Sequence, residues 1–365
     1  MHVGMSVIFQ NPGRARPDFE VYQEEMALAD MAEPLGFESV WSVEHHFTDY
    51  TMCPDPLQFL TYMAGRTKTA ELGTMVAVLP WRDPIRTAEQ ISMLDNISNG
   101  RLVLGIGRGA GRVEFDGFRM DMAESRPRFV EAAQLVLNGL ENGYAEFGGE
   151  YYNQPRVDIR PEPFKSFRGR TYAAAVSPES ARIMAELGVG LLVIPQKPWE
   201  HVEREFAEYK ALYQDVNGEP APKPIFATWT IVDENEKRAE EMAREYIGGY
   251  WKTVLAHYEF HKDHLKGQKG YEYYGKFAET LQKDEDGATQ FFMDLQIYGT
   301  PEQCVEKITR IANRLGSDRF TGIFSMAGMP HALAMENMEL FAERVMPALK
   351  VLPAAEERLP PVAAE

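Results

Sequence analysis

Cysteine is nearly absent from this chain: Cys53 and Cys304 are its only two in 365 residues, far apart and in no Cys-x-x-Cys arrangement. That spacing indicates neither a disulfide framework nor a zinc site, so both are read as free thiols. Positive charge is scarce as well, with 38 Lys and Arg against 55 Asp and Glu and a formal charge of −17. Such a balance disfavours nucleic acid or an anionic membrane surface as partner, and an anionic cofactor would need its own local cation. Long hydrophobic runs are missing too. No stretch approaches the roughly 18 apolar residues of a membrane span, and Met1-His2-Val3-Gly4 enters an apolar strand without a basic leader, so a cytoplasmic location is expected. What is present, 44% hydrophobic and 25% charged residues, suits a globular chain with a large core.

Short apolar runs alternate with helical patterns from end to end. The runs Val3 to Phe9, Glu38 to Val43, Leu72 to Leu79, Leu102 to Ile106, Tyr172 to Val176, Gly190 to Ile194, Ile225 to Val232 and Phe320 to Ser325 read as eight strands. Between them, apolar residues recur at helical spacing, as in Ile85, Ala88, Ile91 and Leu94. Asp55-Pro56, Asp83-Pro84, Ser177-Pro178 and Thr300-Pro301 each set a capping oxygen before a proline at the first helical position, and Gln303 completes a capping box. Eight such units without a composition break predict an α/β fold of the parallel (β/α)8 TIM barrel kind, one domain over residues 1–350, with chemistry at the C-terminal ends of the strands. Tyr144 to Phe167 reads as a hairpin or coil excursion. The polar insertion 252–299, after the seventh strand, reads as a mobile lid over the barrel mouth, and 351–365 as a flexible tail.

The chemistry is concentrated where the second strand ends. Glu44-His45-His46-Phe47 places a carboxylate and two imidazoles there, a set suited to proton transfer, oxyanion stabilisation or metal ligation. After the fourth strand, Gly105-Ile106-Gly107-Arg108-Gly109-Ala110 satisfies a loose dinucleotide fingerprint. That fingerprint needs a helix to open within it, whereas Gly111, Arg112, Asp116 and Gly117 predict an irregular path to about Ser125. Bare glycines beside Arg108 instead suit a loop that a phosphate approaches closely, shared with the helix start Ser177-Pro178-Glu179-Ser180. Each element has a plain structural alternative, a surface ion pair for Arg108 and an ordinary cap for Ser177; together they favour an anion. Phe9, Trp81, Phe115, Trp229 and Met326 are candidates for an apolar substrate pocket.

The tetrad with Thr48, Val78-Leu79-Pro80 before Asp83-Pro84, Gly100-Arg101-Leu102, Gly107-Arg108-Gly109 and Gly299-Thr300-Pro301-Glu302 together resemble the bacterial luciferase-like flavin monooxygenases. The resemblance implies a barrel that takes reduced FMN from a separate, transiently bound flavin reductase and oxygenates a small hydrophobic substrate with O2 through a flavin hydroperoxide. It implies His45 as the catalytic acid or base, with His46 and Glu44 beside it. Arg108, Ser177 and Ser180 match the phosphate ligands, Gly107 and Gly109 belong to the flavin loop, and Glu114 matches an acidic residue near the flavin. Met75-Val76 matches a non-prolyl cis peptide behind the isoalloxazine ring. A homodimer through the second and third helices is also implied. Gly107 stands where the luciferase catalytic subunit has a reactive cysteine, so a non-luminescent relative is expected. Two other readings stay open: hydride transfer with a deazaflavin, and a non-catalytic companion subunit.

Overall fold

Strands buried on both faces explain why the apolar runs are nearly continuous rather than alternating. The computed structural model describes residues 1–174, 178–259 and 285–354. The barrel strands are β1 (His2–Val7), β2 (Ser39–Ser42), β3 (Glu71–Thr74), β4 (Leu102–Gly107), β5 (Thr171–Ala174), β6 (Gly190–Val193), β7 (Ile225–Val232) and β8 (Arg319–Ile323). All pair in parallel, and contacts of β6 with β7, β7 with β8 and β8 with β1 close the cylinder. The chain is thus a closed eight-stranded parallel barrel wrapped by helices. Trp41 fills the interior beneath the mouth, and Gly73 makes room for it: a Cβ there would lie 2.1 Å from the indole.

Local signals set the helix starts. Asp55 accepts from the backbone N–H groups of Leu57 and Gln58 at the start of Pro56–Arg66, and Asp83 from Arg86 at the start of Pro84–Ile97. Thr300 and Gln303 form the reciprocal capping box of Pro301–Leu315. Ser177 lies outside the described residues; the helix it precedes runs Pro178–Glu186.

The third strand differs from its expected span. It stops at Thr74 and resumes as Ala77–Val78, with the cis Met75–Val76 peptide between. The excursion after Asn142 is an antiparallel hairpin, Tyr144–Gly148 with Asn153–Asp158. The insertion has regular flanks, helix Gly248–His257 on one side, helix Glu285–Asp294 and strand Ile297–Gly299 on the other, the strand pairing with β7. Its centre, 260–284, and the tail from 355 lie outside the described residues. Among the described residues no helix is long and apolar enough to cross a membrane.

A helix also forms where the sequence reading expected an irregular path. Arg112–Phe118 is a helix closed by a left-handed Arg119, φ 60°. Packing decides it: Phe115 is buried, and glycine is needed at 117 because a Cβ would sit 2.3 Å from the Phe47 ring. The preceding strand nonetheless belongs to a closed barrel, not to the open sheet of a dinucleotide-binding fold.

Candidate active site

The loop leaving β2 is tied down before its side chains act. His45 N–H donates to Cys53 O, Asn11 N–H to Asp49 O and Met52 N–H to Phe9 O, which binds it to the loop after β1. Glu44 is buried and accepts from Val78 N–H at 2.9 Å and from the Arg82 guanidinium at 3.0 Å. Arg82 also reaches Asp55 at 3.4 Å. His46 Nε2 meets Glu44 Oε1 at 3.2 Å, and its ring lies edge-on to Trp81 and Phe118. Glu44 therefore anchors the turn, and His46 lines neither of the cavities described below.

His45 is held differently. Its Nδ1 lies 3.0 Å from Glu114 Oε1, which also accepts His46 N–H at 2.9 Å. With Glu114 ionised, Nδ1 carries the proton and Nε2 is left as the atom that can exchange one. Glu114 Oε2 faces His257 Nε2 at 3.6 Å, too long for a hydrogen bond, while His257 Nδ1 meets Thr48 Oγ1 at 3.0 Å. Tyr50 stacks on His257 with ring centres 4.5 Å apart, and its hydroxyl meets that of Tyr250 at 2.5 Å. His45, Glu114 and His257 offer ligand atoms within 4.8 Å of one another, a donor set a divalent metal accepts; here two of them are joined by a hydrogen bond.

Burial opposes the charge on Glu114, yet the neighbouring His45 and His257 imidazoles pull its carboxyl down to about 2. Burial pushes His257 below its ordinary value, against the pull of Glu114, and favours the neutral ring. Both signs point the same way. The depressed Glu114 contributes stability that is present above about 4.5 and lost as pH falls towards about 2; His257 makes the unfolded chain the better proton acceptor below about 6.5. The contribution of these two groups to folding stability therefore falls on acidification from pH 6.5, by up to ~1.4 kcal/mol per pH unit for each such proton. Denaturant titrations between pH 7 and 5 are expected to show a shallower slope in His257→Gln than in the wild type.

Gly111 keeps this network intact. A Cβ there would lie 2.5 Å from Glu114 Oε2 and 2.9 Å from His257 Nε2. Gly111→Ala is expected to cost ~1–3 kcal/mol by overpacking, read by denaturant unfolding.

Two cavities open at the C-terminal mouth. The larger, about 500 Å³, is lined by Met75, Val76, Gly107, Arg108, Gly109 and Ser180 among others, and it also touches Glu44 and Glu114. Arg126, Arg182 and Lys197 add cationic chains to its wall, and Leu192 and Ile194 add apolar surface. The glycines leave bare backbone: a Cβ at Gly107 would meet Val76 Cγ2 at 2.3 Å, and one at Gly109 would meet the Trp81 ring at 2.7 Å. A flat ring system carrying an anionic tail fits such a wall. The smaller cavity, about 140 Å³, lies beneath Tyr250, Trp251, Val254, Phe291, Phe292 and Leu295, the described flanks of the insertion. His45, Met75, Ile194, Gln196 and Tyr258 line both.

Of the pocket candidates, Trp81 lines the larger cavity and Trp229 the smaller, whereas Phe9, Phe115 and Met326 line neither. Those three are corrected to core packing, at most 1% exposed. His257, Tyr50 and Arg126 escaped the sequence reading. For His257 a signal existed: Tyr250, Val254 and His257 fall on one helical stripe.

A parallel barrel with a two-part cavity at its C-terminal mouth defines a (β/α)8 enzyme. The family model described as luciferase-like monooxygenase matches residues 1–319, and the chain belongs to that family, whose members are flavin-dependent monooxygenases. It is 27% identical over 340 residues to the alkanal monooxygenase alpha chain of Photorhabdus luminescens, covering 91% of this chain and 93% of that protein. It is 29% identical over 243 residues to the oxygenase component of the flavin-dependent trigonelline monooxygenase of Acinetobacter baylyi, covering 64% and 67%. Among solved structures, a monooxygenase from Streptomyces bottropensis superposes with TM-score 0.80 at 24% identity over 95% of this chain and 99% of that one. The oxygenating constituent of 3,6-diketocamphane monooxygenase from Pseudomonas putida, in complex with FMN, follows with TM-score 0.74 at 19% identity over 95% and 98%. An F420-dependent secondary alcohol dehydrogenase gives 0.70 at 16% over 95% and 98%. At these identities the structural likenesses speak for the fold alone.

Proposed function

We propose that this chain is the oxygenase of a two-component system, using reduced FMN from a separate flavin reductase and O2 to oxygenate a small hydrophobic organic molecule without emitting light. The observation that carries the reading is the meeting of a cation-bearing cavity and an apolar cavity at one histidine, His45. When bound, reduced FMN supplies the electrons that activate dioxygen. Arg108 and Ser180 would hold the phosphate, with Arg126 in the same wall, and Ser177, outside the described residues, is proposed as a further ligand. Met75 and Val76 would back the ring, and Gly107 and Gly109 would let it approach the backbone. His45 holds or moves a proton at Nε2, with Glu114 fixing the ring from Nδ1. Glu44 and His46 act through the turn they brace. The described flanks of the insertion, among them Trp251, Val254 and Phe292, cover the smaller cavity and would exclude water from it.

Tyr62, Met93 and Ile97 on the second and third helices, 44–52% exposed, support a homodimer through that face. The absence of a thiol at Gly107 supports a non-luminescent oxygenase. The acidic composition supports an enzyme acting on a small molecule rather than on nucleic acid or an anionic membrane.

Arg108→Ala is expected to weaken FMN binding by ~10–100-fold, the loss of a charge-assisted contact, in a fluorescence titration. The reading fails if reduced deazaflavin without oxygen turns over a substrate better than reduced FMN with oxygen, the outcome the dehydrogenase neighbour makes worth testing.

A further inference from the structure

His45 belongs to a ring of contacts that closes on itself. The loop after β2 supplies two members, His45 and Thr48, the helix Arg112–Phe118 supplies Glu114, and His257 ends the helix Gly248–His257 at the root of the insertion. His45 Nδ1 meets Glu114 Oε1 at 3.0 Å, Glu114 Oε2 faces His257 Nε2 at 3.6 Å, and His257 Nδ1 meets Thr48 Oγ1 at 3.0 Å, which returns the ring to its starting loop. The His257 side chain is 1% exposed, and neither its Nε2 nor Glu114 Oε2 has a hydrogen-bond partner among the described residues. Tyr50 stacks on the imidazole and Tyr258 lies edge-on to it with ring centres 4.9 Å apart, so its orientation is held by packing.

We infer that His257 is a positioning residue for His45, its Nε2–H directed at Glu114 Oε2 so that the carboxylate keeps its other oxygen on His45 Nδ1 as an acceptor. The inference deepens the oxygenase reading and rests on it only for the reaction that His45 assists. Electrostatics choose the tautomer: a bare Nε2 lone pair 3.6 Å from a carboxylate oxygen is repelled, whereas an N–H dipole is attracted. The proton therefore sits on Nε2, Nδ1 accepts from the Thr48 hydroxyl, and each link points the same way, from Thr48 through His257 to Glu114. Burial opposes the Glu114 charge, and the two imidazoles offset it. Without His257, only His45 and the His46 N–H stand against burial. A carboxyl that takes a proton from solvent there becomes a donor to His45 Nδ1. The neutral imidazole then carries its own proton on Nε2, the nitrogen that must be bare to accept one.

The test joins a spectroscopic readout to a kinetic one, both on the full chain. Heteronuclear NMR of isotopically labelled histidines, without flavin, reads the tautomer of His45, whose signal is identified by its loss in His45→Gln. The wild type is expected to carry the His45 proton on Nδ1. His257→Phe keeps a stacked ring but removes both nitrogens, and it is expected to move that proton to Nε2. With reduced FMN its kcat for product formation is expected to fall at least about tenfold while KM stays within about twofold. His257→Gln, whose amide N–H reaches towards the place of Nε2–H, is expected to keep the wild-type tautomer and a kcat within about threefold of the wild type. Thr48→Val, at the far end of the ring, leaves both imidazoles in place and is expected to lower kcat about threefold, which keeps the test open to a Phe variant that does not fold. An unchanged His45 tautomer or wild-type kcat in His257→Phe, a Gln variant no better than Phe, or wild-type kcat in Thr48→Val overturns the inference. A tautomer that follows His257 in a wild type inactive with reduced FMN supports the positioning role and overturns the flavin reading instead.

Discussion

His45→Ala is expected to lower product formation by ~10²–10⁴-fold, the range spanned by loss of a positioned acid or base. FMN affinity should stay within about threefold of the wild type, because the groups proposed to hold the phosphate stand on other elements: Arg108 follows β4 and Ser180 lies on Pro178–Glu186. Oxygen uptake with reduced FMN should continue without matching product, since the imidazole is assigned to the proton and not to the electrons. Steady-state product assays beside an oxygen electrode separate these outcomes. Wild-type turnover in the variant would remove His45 from the chemistry.

Arg82→Ala carries the largest expected loss of stability, about 3–5 kcal/mol, because it strands Glu44 as a buried charge. Glu44 would keep the Val78 N–H and the His46 ring, neither of which replaces a guanidinium bonded through both Nε and Nη2. Burial works against the Arg82 charge, while Glu44 and Asp55 hold its pKa above the ordinary value. Denaturant unfolding reads the loss. Replacing both partners, Arg82→Met with Glu44→Met, is expected to recover much of it, since two apolar chains of similar volume leave no unpaired charge. Failure of the double variant to improve on the single one would show that the turn needs the Glu44 acceptor itself.

How far this architecture was legible depended on sequence separation. The eight strands could be read because parallel strands covered on both faces are short apolar runs, and the caps at Asp55, Asp83 and Thr300 are local. The tetrad was visible because its members are contiguous. What it does was not: Glu44 is claimed by Arg82, 38 residues on, and only barrel closure reveals that His46 braces rather than faces the cavity. Thr48 and His257 are 209 residues apart and meet because the helix after β7 folds over the mouth. The helix Arg112–Phe118 escaped because Asp116-Gly117 reads as a breaker, while burial of Phe115 and the close approach of Phe47 settle the matter. Strand ends shifted by a residue or two, as at Glu38 to Val43 against Ser39–Ser42.

The central claim is that this barrel uses a reduced flavin mononucleotide to place an oxygen atom on its substrate at His45. Turnover of a small hydrophobic organic substrate with reduced FMN under isotopically labelled dioxygen, with products weighed by mass spectrometry, tests it most directly. The account predicts one labelled oxygen atom in the product and its disappearance in His45→Ala. An unlabelled product, reduced or oxidised by two electrons and formed equally well without oxygen, would contradict it.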